Sequence, residues 1–228
     1  MKHESFNEST EMYLKTVVEL ANGAGSPVPI SALADRLGVS TVSATEMVHR
    51  LQDQKLLDHT PYKGVSLTGK GQHWATALIR AHHMWECFLV AKLGLPWEKA
   101  HEYACQLEHA TETAVTEALA AYLHQPTTCP HGNPIPTQQG EIDHPDDMAL
   151  TAVQPGQSGT IQRIYPESTL LLDYLAGRGL KPGNQFTVTK IEPFNGPIMV
   201  DCCQQSHPLG QEVAAHIFVT VENRNEPE

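Results

Sequence analysis

The sequence predicts an α+β protein in which helices come first and a small β-barrel comes last. As far as about residue 123, apolar residues recur with the spacing of one helical face. From residue 149 onward, short segments of alternating polarity are separated by turn residues, which is the pattern of strands. Residues 125–147 are rich in proline, glycine, histidine and threonine, which is typical of a linker. We therefore expect three domains, over residues 1–73, 74–146 and 147–228.

The composition excludes several classes of protein. Hydrophobic residues make up 40% of the 228 residues, which suits a folded globular chain. No apolar run approaches the roughly 18 residues that span a bilayer, and the polar start lacks the apolar core of a signal peptide. The five cysteines are odd in number and irregularly spaced, which favours thiols or metal ligands over a disulfide framework. We expect a cytoplasmic protein with no membrane partner.

The first domain has the order of elements found in DNA-binding domains. Residues 9–21 are predicted to form a helix, residues 30–37 a second that ends at Gly38, and residues 42–55 a third. A glycine-containing turn between two short helices is the signal of a helix-turn-helix. Two short strands within residues 56–67 predict a wing. The order indicates a winged helix-turn-helix, and the alternative is a three-helix packing unit that does not bind DNA.

The third helix is the predicted recognition helix. Its start offers short hydroxyl side chains and backbone N–H groups that can meet phosphates, those of Ser40, Thr41, Ser43 and Thr45. Val42 is predicted to lie on its buried face. Arg50 and Lys63 are candidate phosphate contacts, and an ordinary surface charge is the alternative for each. The net charge of −11 weighs against DNA binding, but residues 1–75 are close to neutral.

The middle of the chain is predicted to be helical and to form a dimer. Three helices are expected within residues 68–123, and they carry enough alanine, leucine and valine to pack against the first domain and a second copy of the chain. In the last domain a helical piece at residues 168–176 interrupts a series of strands. The predicted strands are residues 159–165, 185–192, 197–203 and 212–221. This pattern indicates a small barrel of the SH3 kind.

One face of the middle helices carries metal-binding side chains. Four of them are spaced i, i+4, i+7 and i+8, which places them on one helical face: His101, Cys105, Glu108 and His109. On the preceding helix, His82 and Glu86 are spaced i, i+4. Thiolate, imidazole and carboxylate groups bind first-row transition metals. A single such pair is ordinarily a solvated helix face, but six candidate ligands on two adjacent helices predict a metal site.

Several segments resemble the diphtheria toxin repressor family of metal-dependent transcriptional regulators. They are residues 9–14 (STEMYL), the helix with His82 and Glu86, the ligand run 101–109 and residues 132–136 (GNPIP). The similarity covers nearly the whole chain in the right order, and the ligand run is its most specific part. It implies an N-terminal winged helix-turn-helix, a helical metal-binding and dimerisation domain and a C-terminal SH3-like domain.

The resemblance also implies two sets of metal ligands. The primary set would be Met12, Cys105, Glu108 and His109. The ancillary set would be His82, Glu86 and His101, which the family completes with a glutamate and a glutamine from the SH3-like domain, so that Glu167 and Gln162 are candidates here.

Two further positions bear on the family comparison. Cys129 and His131 resemble a feature of the manganese-responsive three-domain branch, in which they help to form the second site, although they can also be ordinary loop residues. The family's base-contacting glutamine falls at Ala44, whose side chain can touch a thymine methyl group but cannot form a bidentate hydrogen bond.

The ligand types favour iron. The thioether of Met12 and the thiol of Cys105 are soft ligands, whereas manganese sites are dominated by oxygen, and the manganese branch typically has Asp and Glu at these positions. We therefore expect Fe(II), with Mn(II) as the alternative that Cys129 and His131 support. Co(II), Ni(II) and Zn(II) are expected to substitute in vitro, because affinity follows the Irving–Williams order.

The predicted function is that of a dimeric repressor that binds double-stranded operator DNA when metal joins Met12 to its partners. An enzyme is not expected, because the ligand set looks full and a catalytic metal needs an open position. The alternatives are a metalloenzyme that uses Cys105, Glu108 and His109, and a DNA-binding module controlled by a non-metal ligand.

Overall fold

The computed structural model describes residues 7–21, 26–143 and 145–222. It divides into two compact units. The first unit contains the described residues up to Met84, together with Cys105–Gln125 and a segment that begins at Ile135. The second contains Trp85–Ala104, Pro126–Pro134 and residues 145–222. The three domain boundaries expected from the sequence stay a prediction.

The helices and strands occur in the predicted order. The helices are α1 (Glu8–Ala21), α2 (Ile30–Leu37), α3 (Thr41–Asp53), α4 (Gly69–Ala91), α5 (Trp97–Glu108), α6 (Thr113–Tyr122), α7 (Thr169–Ala176) and α8 (Gln211–Ala214). The strands are β1 (Leu57–Thr60), β2 (Gly64–Leu67), β3 (Met148–Ala149), β4 (Ser158–Ile164), β5 (Gln185–Ile191), β6 (Ile198–Cys202), β7 (Gln205–Leu209) and β8 (Ile217–Val221). None of the helices in the described ranges is both long and apolar enough to cross a membrane.

Local sequence signals account for the winged helix-turn-helix. Gly38 ends α2 in the left-handed conformation with φ of 66°, which a residue without Cβ adopts at little cost. The Ser40 side chain caps α3 by accepting a hydrogen bond from the backbone N–H of Ser43 at 3.1 Å. Strands β1 and β2 pair antiparallel, with Leu57 opposite Leu67, and form the wing. The predicted fold of this region is confirmed.

The buried face of α3 differs from the one predicted. Ala44, Val48 and Leu51, spaced i, i+4, i+7, are fully buried in the core of the first unit. Val42 lies about 200° around the helix from Ala44 and is 70% exposed, so its predicted place in the core is wrong. The predicted contact between Ala44 and a DNA base is also wrong, because its side chain is 0% exposed and packs inward.

The second unit is built on a six-stranded antiparallel sheet in the order β3-β8-β4-β5-β6-β7. The predicted strand over residues 212–221 is wrong in its first half, where α8 forms, and only β8 is extended. The edge strand β7 was not predicted, because it is largely polar and contains Pro208. An edge strand tolerates proline, since the missing backbone N–H can face outward and need not bond to a neighbouring strand. Apolar side chains of β4, β5, β6 and β8 form the core with α7.

The loop that holds His131 lies tightly against β4. The backbone N–H of Ile164 donates to the carbonyl of His131 at 2.9 Å. Gly132 follows with φ of +83°, and a Cβ atom there would lie 1.9 Å from the carbonyl oxygen of Gln162. Position 132 therefore requires a glycine for two reasons, the positive φ and the close approach of the loop to β4.

We expect Gly132→Ala to destabilise the protein more than Gly156→Ala, which is the matched control. Gly156 has nearly the same φ, +86°, but open space around its Cβ position. The left-handed conformation alone costs about 1–2 kcal/mol for an alanine. The control should lower Tm by a few degrees and Gly132→Ala by at least about twice as much, as measured by thermal unfolding. Equal Tm values would show that the loop moves away from β4 without cost.

Candidate metal centres

A buried carboxylate is the centre of the first group of candidate ligands, which lies in the first unit. Glu108 ends α5, and its side chain is 0% exposed. The ammonium of Lys15, on α1, lies 2.9 Å from its Oε1 and 2.7 Å from its Oε2. The Nδ1 atom of His82, on α4, lies 2.5 Å from Oε2. Three helices therefore meet at one carboxylate.

The charges of this group stabilise one another. Burial raises the pKa of Glu108, but the hydrogen bond to His82 and the charge of Lys15 outweigh it and lower that pKa to about 2. Burial lowers the pKa of Lys15, but the charge of Glu108 outweighs it, so that pKa is raised. At neutral pH the group thus holds a carboxylate, which is the form that binds a metal ion.

His109 is oriented by a residue that sequence reasoning missed. Its Nδ1 atom lies 2.6 Å from Oε2 of Glu11 on α1, and its Nε2 atom lies 3.5 Å from Oε1 of Glu108. A histidine ligand usually donates its second N–H to a carboxylate, which fixes the ring for metal binding. The arrangement fits His109 as a ligand through Nε2. Glu11 is the residue before Met12 in the predicted first helix. This position next to a candidate ligand was the one sequence signal for its role.

Met12 and Cys105 lie on the same two helices as this group. Met12 is half-buried on α1, one turn before Lys15, and Cys105 is half-buried on α5, one turn before Glu108. Cys105 is close enough to Lys15 to affect its pKa and is not in a disulfide. His82, which is predicted for the ancillary set, also contacts the carboxylate of Glu108 through its Nδ1 atom.

A second group of candidate ligands lies in the second unit. It consists of two carboxylates, two imidazoles and one thiol, those of Glu86, Glu167, His101, His131 and Cys129. The His101 Nδ1 atom is 2.8 Å from Oε2 of Glu167 and 3.5 Å from Oε1 of Glu86. The His131 Nδ1 atom is 3.2 Å from Oε1 of Glu86. The thiol of Cys129 lies 3.6 Å from Oε1 of Glu167. Such a donor set suits a divalent transition-metal ion.

Hydrogen bonds fix the orientation of this second group. His131 donates from Nε2 to the carbonyl of Trp97 at 2.8 Å, which turns Nδ1 toward the carboxylates. The amide of Asn133 donates to Oε1 of Glu167 at 2.5 Å and to the carbonyl of Ile164 at 2.8 Å. Asn133 and Trp97 were not predicted as site residues. Asn133 lies in the family-like segment of residues 132–136, which was the one sequence signal for it.

Protons balance the negative charge of the second group. Burial lowers the pKa of His131, but Glu167 and Glu86 outweigh it and raise that pKa to about 9. Burial, together with Glu86 and Glu167, raises the pKa of the Cys129 thiol well above its ordinary value. At neutral pH the imidazole of His131 is therefore protonated on both nitrogens and positively charged, and Cys129 is a neutral thiol.

The two candidates from the SH3-like domain are in different places. Glu167, just after β4, contacts His101 and Asn133 within the second group. Gln162 lies on β4, where its amide donates to the hydroxyl of Thr220 at 2.8 Å in an exposed position. The structure brings Glu167 to the cluster and does not bring Gln162 there.

The remaining DNA-contact candidates are accessible. The side chains of Ser40, Thr41, Ser43, Arg50 and Lys63 are exposed, and that of Thr45 is half-buried. Val42, which the sequence placed in the core, is exposed between Thr41 and Ser43. Tyr62 at the tip of the wing is fully exposed. These two residues add apolar and aromatic surface beside the predicted polar contacts.

Three family models match the chain in the order of the predicted domains. They are the N-terminal DNA-binding domain of iron-dependent repressors (residues 5–65), the metal-binding and dimerisation domain of iron-dependent repressors (residues 68–137) and the FeoA domain (residues 148–221). The diphtheria toxin repressor of Corynebacterium efficiens is 35% identical over 192 residues, which cover 79% of this chain and 83% of that protein. This chain belongs to the diphtheria toxin repressor family.

Other relatives extend the comparison. The iron-dependent repressor IdeR of Mycobacterium leprae is 38% identical over 145 residues, which cover 64% of this chain and 63% of that protein, just under two thirds of its length. A manganese-dependent transcriptional repressor in complex with manganese is 32% identical, with a TM-score of 0.82 over 92% of this chain and 98% of that one. ScaR with bound Zn²⁺ is 29% identical, with the same TM-score and the same coverage. The predicted family and three-part architecture are confirmed.

Because a metal ligand must lose its proton, divalent metal should bind the second group with net proton release. Below about pH 9 His131 is protonated, so affinity there should fall as the pH is lowered from 9. At pH 7.5 we expect His131→Gln and Cys129→Ser each to release at least about one proton fewer than the wild type on saturation with Co(II). Titration calorimetry in buffers of different ionisation enthalpy measures this number. Equal release by all three proteins would contradict the assignment of these ligands.

Proposed function

We propose that this protein is a metal-activated transcriptional repressor that binds double-stranded operator DNA as a homodimer. The observation that carries the proposal is the double connection between α1, which packs in the DNA-binding fold, and the C-terminal end of α5. Lys15 contacts Glu108, the last residue of α5, and Glu11 contacts His109, which follows it. A change at the metal ligands therefore acts directly on the first helix of the DNA-binding fold.

The names of the relatives support a regulator over an enzyme. The curated relatives are iron-dependent repressors and diphtheria toxin repressors, and several similar structures are manganese-dependent repressors or regulators. A metalloenzyme that uses Cys105, Glu108 and His109 would leave the winged helix-turn-helix without a role. A DNA-binding regulator acts where the DNA is, so a cytoplasmic location belongs to the proposal.

We assign the metal to two sites in each chain. The primary site is Met12, Cys105, Glu108 and His109, and the second is Glu86, His101, Cys129, His131 and Glu167. The soft sulfur ligands of the primary site favour Fe(II), and Mn(II) is the alternative that the manganese-dependent relative supports. Co(II), Ni(II) and Zn(II) would serve in vitro. The metal supplies a positive charge that joins ligands on different helices, and no covalent bond of a substrate is made or broken.

The ligands would regulate DNA binding through the position of α1. In a two-fold dimer the two α3 helices must match half-sites about 34–36 Å apart, or a multiple of that distance. Fixing α1 against α5 selects one arrangement of the helices packed on it, which is a population shift toward the state that binds DNA.

The exposed residues of α3 and the wing are the proposed DNA contacts. Ser40, Thr41, Ser43, Thr45, Arg50 and Lys63 would contact phosphates or base edges. Val42 takes the role once expected for Ala44, because its exposed methyl groups can meet a thymine methyl in the major groove. Tyr62 would lie at the DNA backbone or in the adjacent groove.

Metal should strengthen DNA binding by about 5–150-fold, the usual range of allosteric coupling. The probe is a DNA fragment selected from a random pool with anaerobic Fe(II), and fluorescence anisotropy then compares Fe(II) with a chelator. Glu108→Gln should lose this difference because it removes the ligand charge at the centre of the primary site.

The matched control is Glu102→Gln, which changes an exposed glutamate on the same helix and should behave as the wild type. DNA binding of equal strength in chelator and in Fe(II) would overturn the proposal. Full metal dependence in Glu108→Gln would overturn the assignment of the primary site.

A further inference from the structure

We propose that the ammonium of Lys15 competes with the metal ion for the carboxylate of Glu108 and so sets the metal concentration at which the protein responds. The inference rests on the proposed function, because it concerns the primary site of that function. It goes further by naming a residue that lowers the affinity of the site instead of a ligand that raises it.

The geometry places Lys15 where a metal ion would have to bind. Its Nζ atom is within 2.9 Å of both carboxylate oxygens of Glu108. The Lys15 side chain is 7% exposed and that of Glu108 is 0% exposed, so water does not screen the pair. His82 contacts Oε2 as well. A cation that takes Glu108 as a ligand must therefore replace the ammonium or share an oxygen with it.

Sharing is unfavourable because two cations would lie side by side in a buried site. An ammonium is a compact point charge, and a divalent ion at the neighbouring carboxylate oxygen would repel it strongly where the dielectric constant is low. The negative thiolate that Cys105 forms on metal binding relieves part of this repulsion. Cys105 is close enough to Lys15 to raise its pKa. Replacement of the ammonium is thus the favoured outcome.

The fold provides a second position for the displaced ammonium. Glu19 lies four residues after Lys15 on α1, and its negative charge helps to raise the pKa of Lys15. The lysine side chain has a flexible four-carbon stem, so it can turn from Glu108 toward Glu19 without movement of the helix. Glu19 also pairs with Arg36 of α2 at 3.3 Å. A movement of Lys15 from Glu108 to Glu19 would then affect the ion pair between Glu19 and Arg36, and so α2, the first helix of the helix-turn-helix.

The test is the affinity of the full chain for Co(II), measured by the absorption band of a Co(II)–thiolate bond. All proteins carry Cys129→Ser, so that Cys105 is the one proposed thiol ligand left to give the band. Lys15→Met removes the charge and keeps the length of the side chain. We expect its Co(II) dissociation constant to be lower by at least about tenfold, the equivalent of one charge-assisted hydrogen bond that the metal no longer has to break.

Two further variants separate charge from shape. Lys15→Arg keeps the charge and should stay within about threefold of the parent protein, because a guanidinium also pairs with a carboxylate. Lys99→Met removes a lysine from an exposed ion pair with Asp173 and should not change the affinity. If Lys15→Met does not fold, Lys15→Gln replaces it, since its amide still donates to Glu108 without the charge.

An unchanged or weaker affinity in the uncharged variant would overturn the inference, since Lys15 would then support Glu108 and not compete for it. The proposed function is judged separately by Cys105→Ser and Glu108→Gln. If these two variants abolish the Co(II) band while Lys15→Met leaves the affinity unchanged, only the inference fails. If they leave the band intact, the primary site itself is wrong and the inference fails with it.

Discussion

The structure of the first unit depends on the buried carboxylate of Glu108. A carboxylate that is removed from water needs opposite charge and hydrogen bonds around it, and breaking a buried pair on one side costs about 3–5 kcal/mol. Here α1 supplies an ammonium through Lys15 and α4 supplies an imidazole through His82. The carboxylate thus ties α1 to the ligand helix α5. The electrostatic requirement of one residue couples the DNA-binding fold to the helix that carries the proposed metal ligands.

The two candidate centres solve the same electrostatic problem by different means. Each contains at least one buried carboxylate whose charge a cation neutralises. Around Glu108 the cation is a side chain of the protein, whereas around Glu86 and Glu167 it is largely the proton of His131. A metal ion would displace an ammonium in the first case and protons in the second. Binding at the second site should therefore depend on the protonation of His131, whereas at the first site it should depend on how tightly Lys15 pairs with Glu108.

Most elements could be predicted from local sequence, and the errors have local explanations. The cap at Ser40 and the stop at Gly38 fixed the bounds of α2 and α3, because both signals act within a few residues. The face of α3 was placed incorrectly at Val42, since apolar character alone does not distinguish a core position from an exposed one. The polar edge strand β7 carried little strand signal, because an edge strand packs against only one neighbour.

The sequence by itself determined the candidate ligand types and the helical face that carries them, because spacings of three and four residues place side chains together within a single helix. It also determined the family, since the characteristic segments of the three domains follow one another in the sequence in the family's order. Only the tertiary structure decided the partners. Lys15 and Glu108 are 93 residues apart, and Glu11 and His109 are 98 apart. No local pattern records such pairs, because they arise from the packing of separate helices. The same reason explains why packing, and not alignment, placed Glu167 rather than Gln162 beside His101.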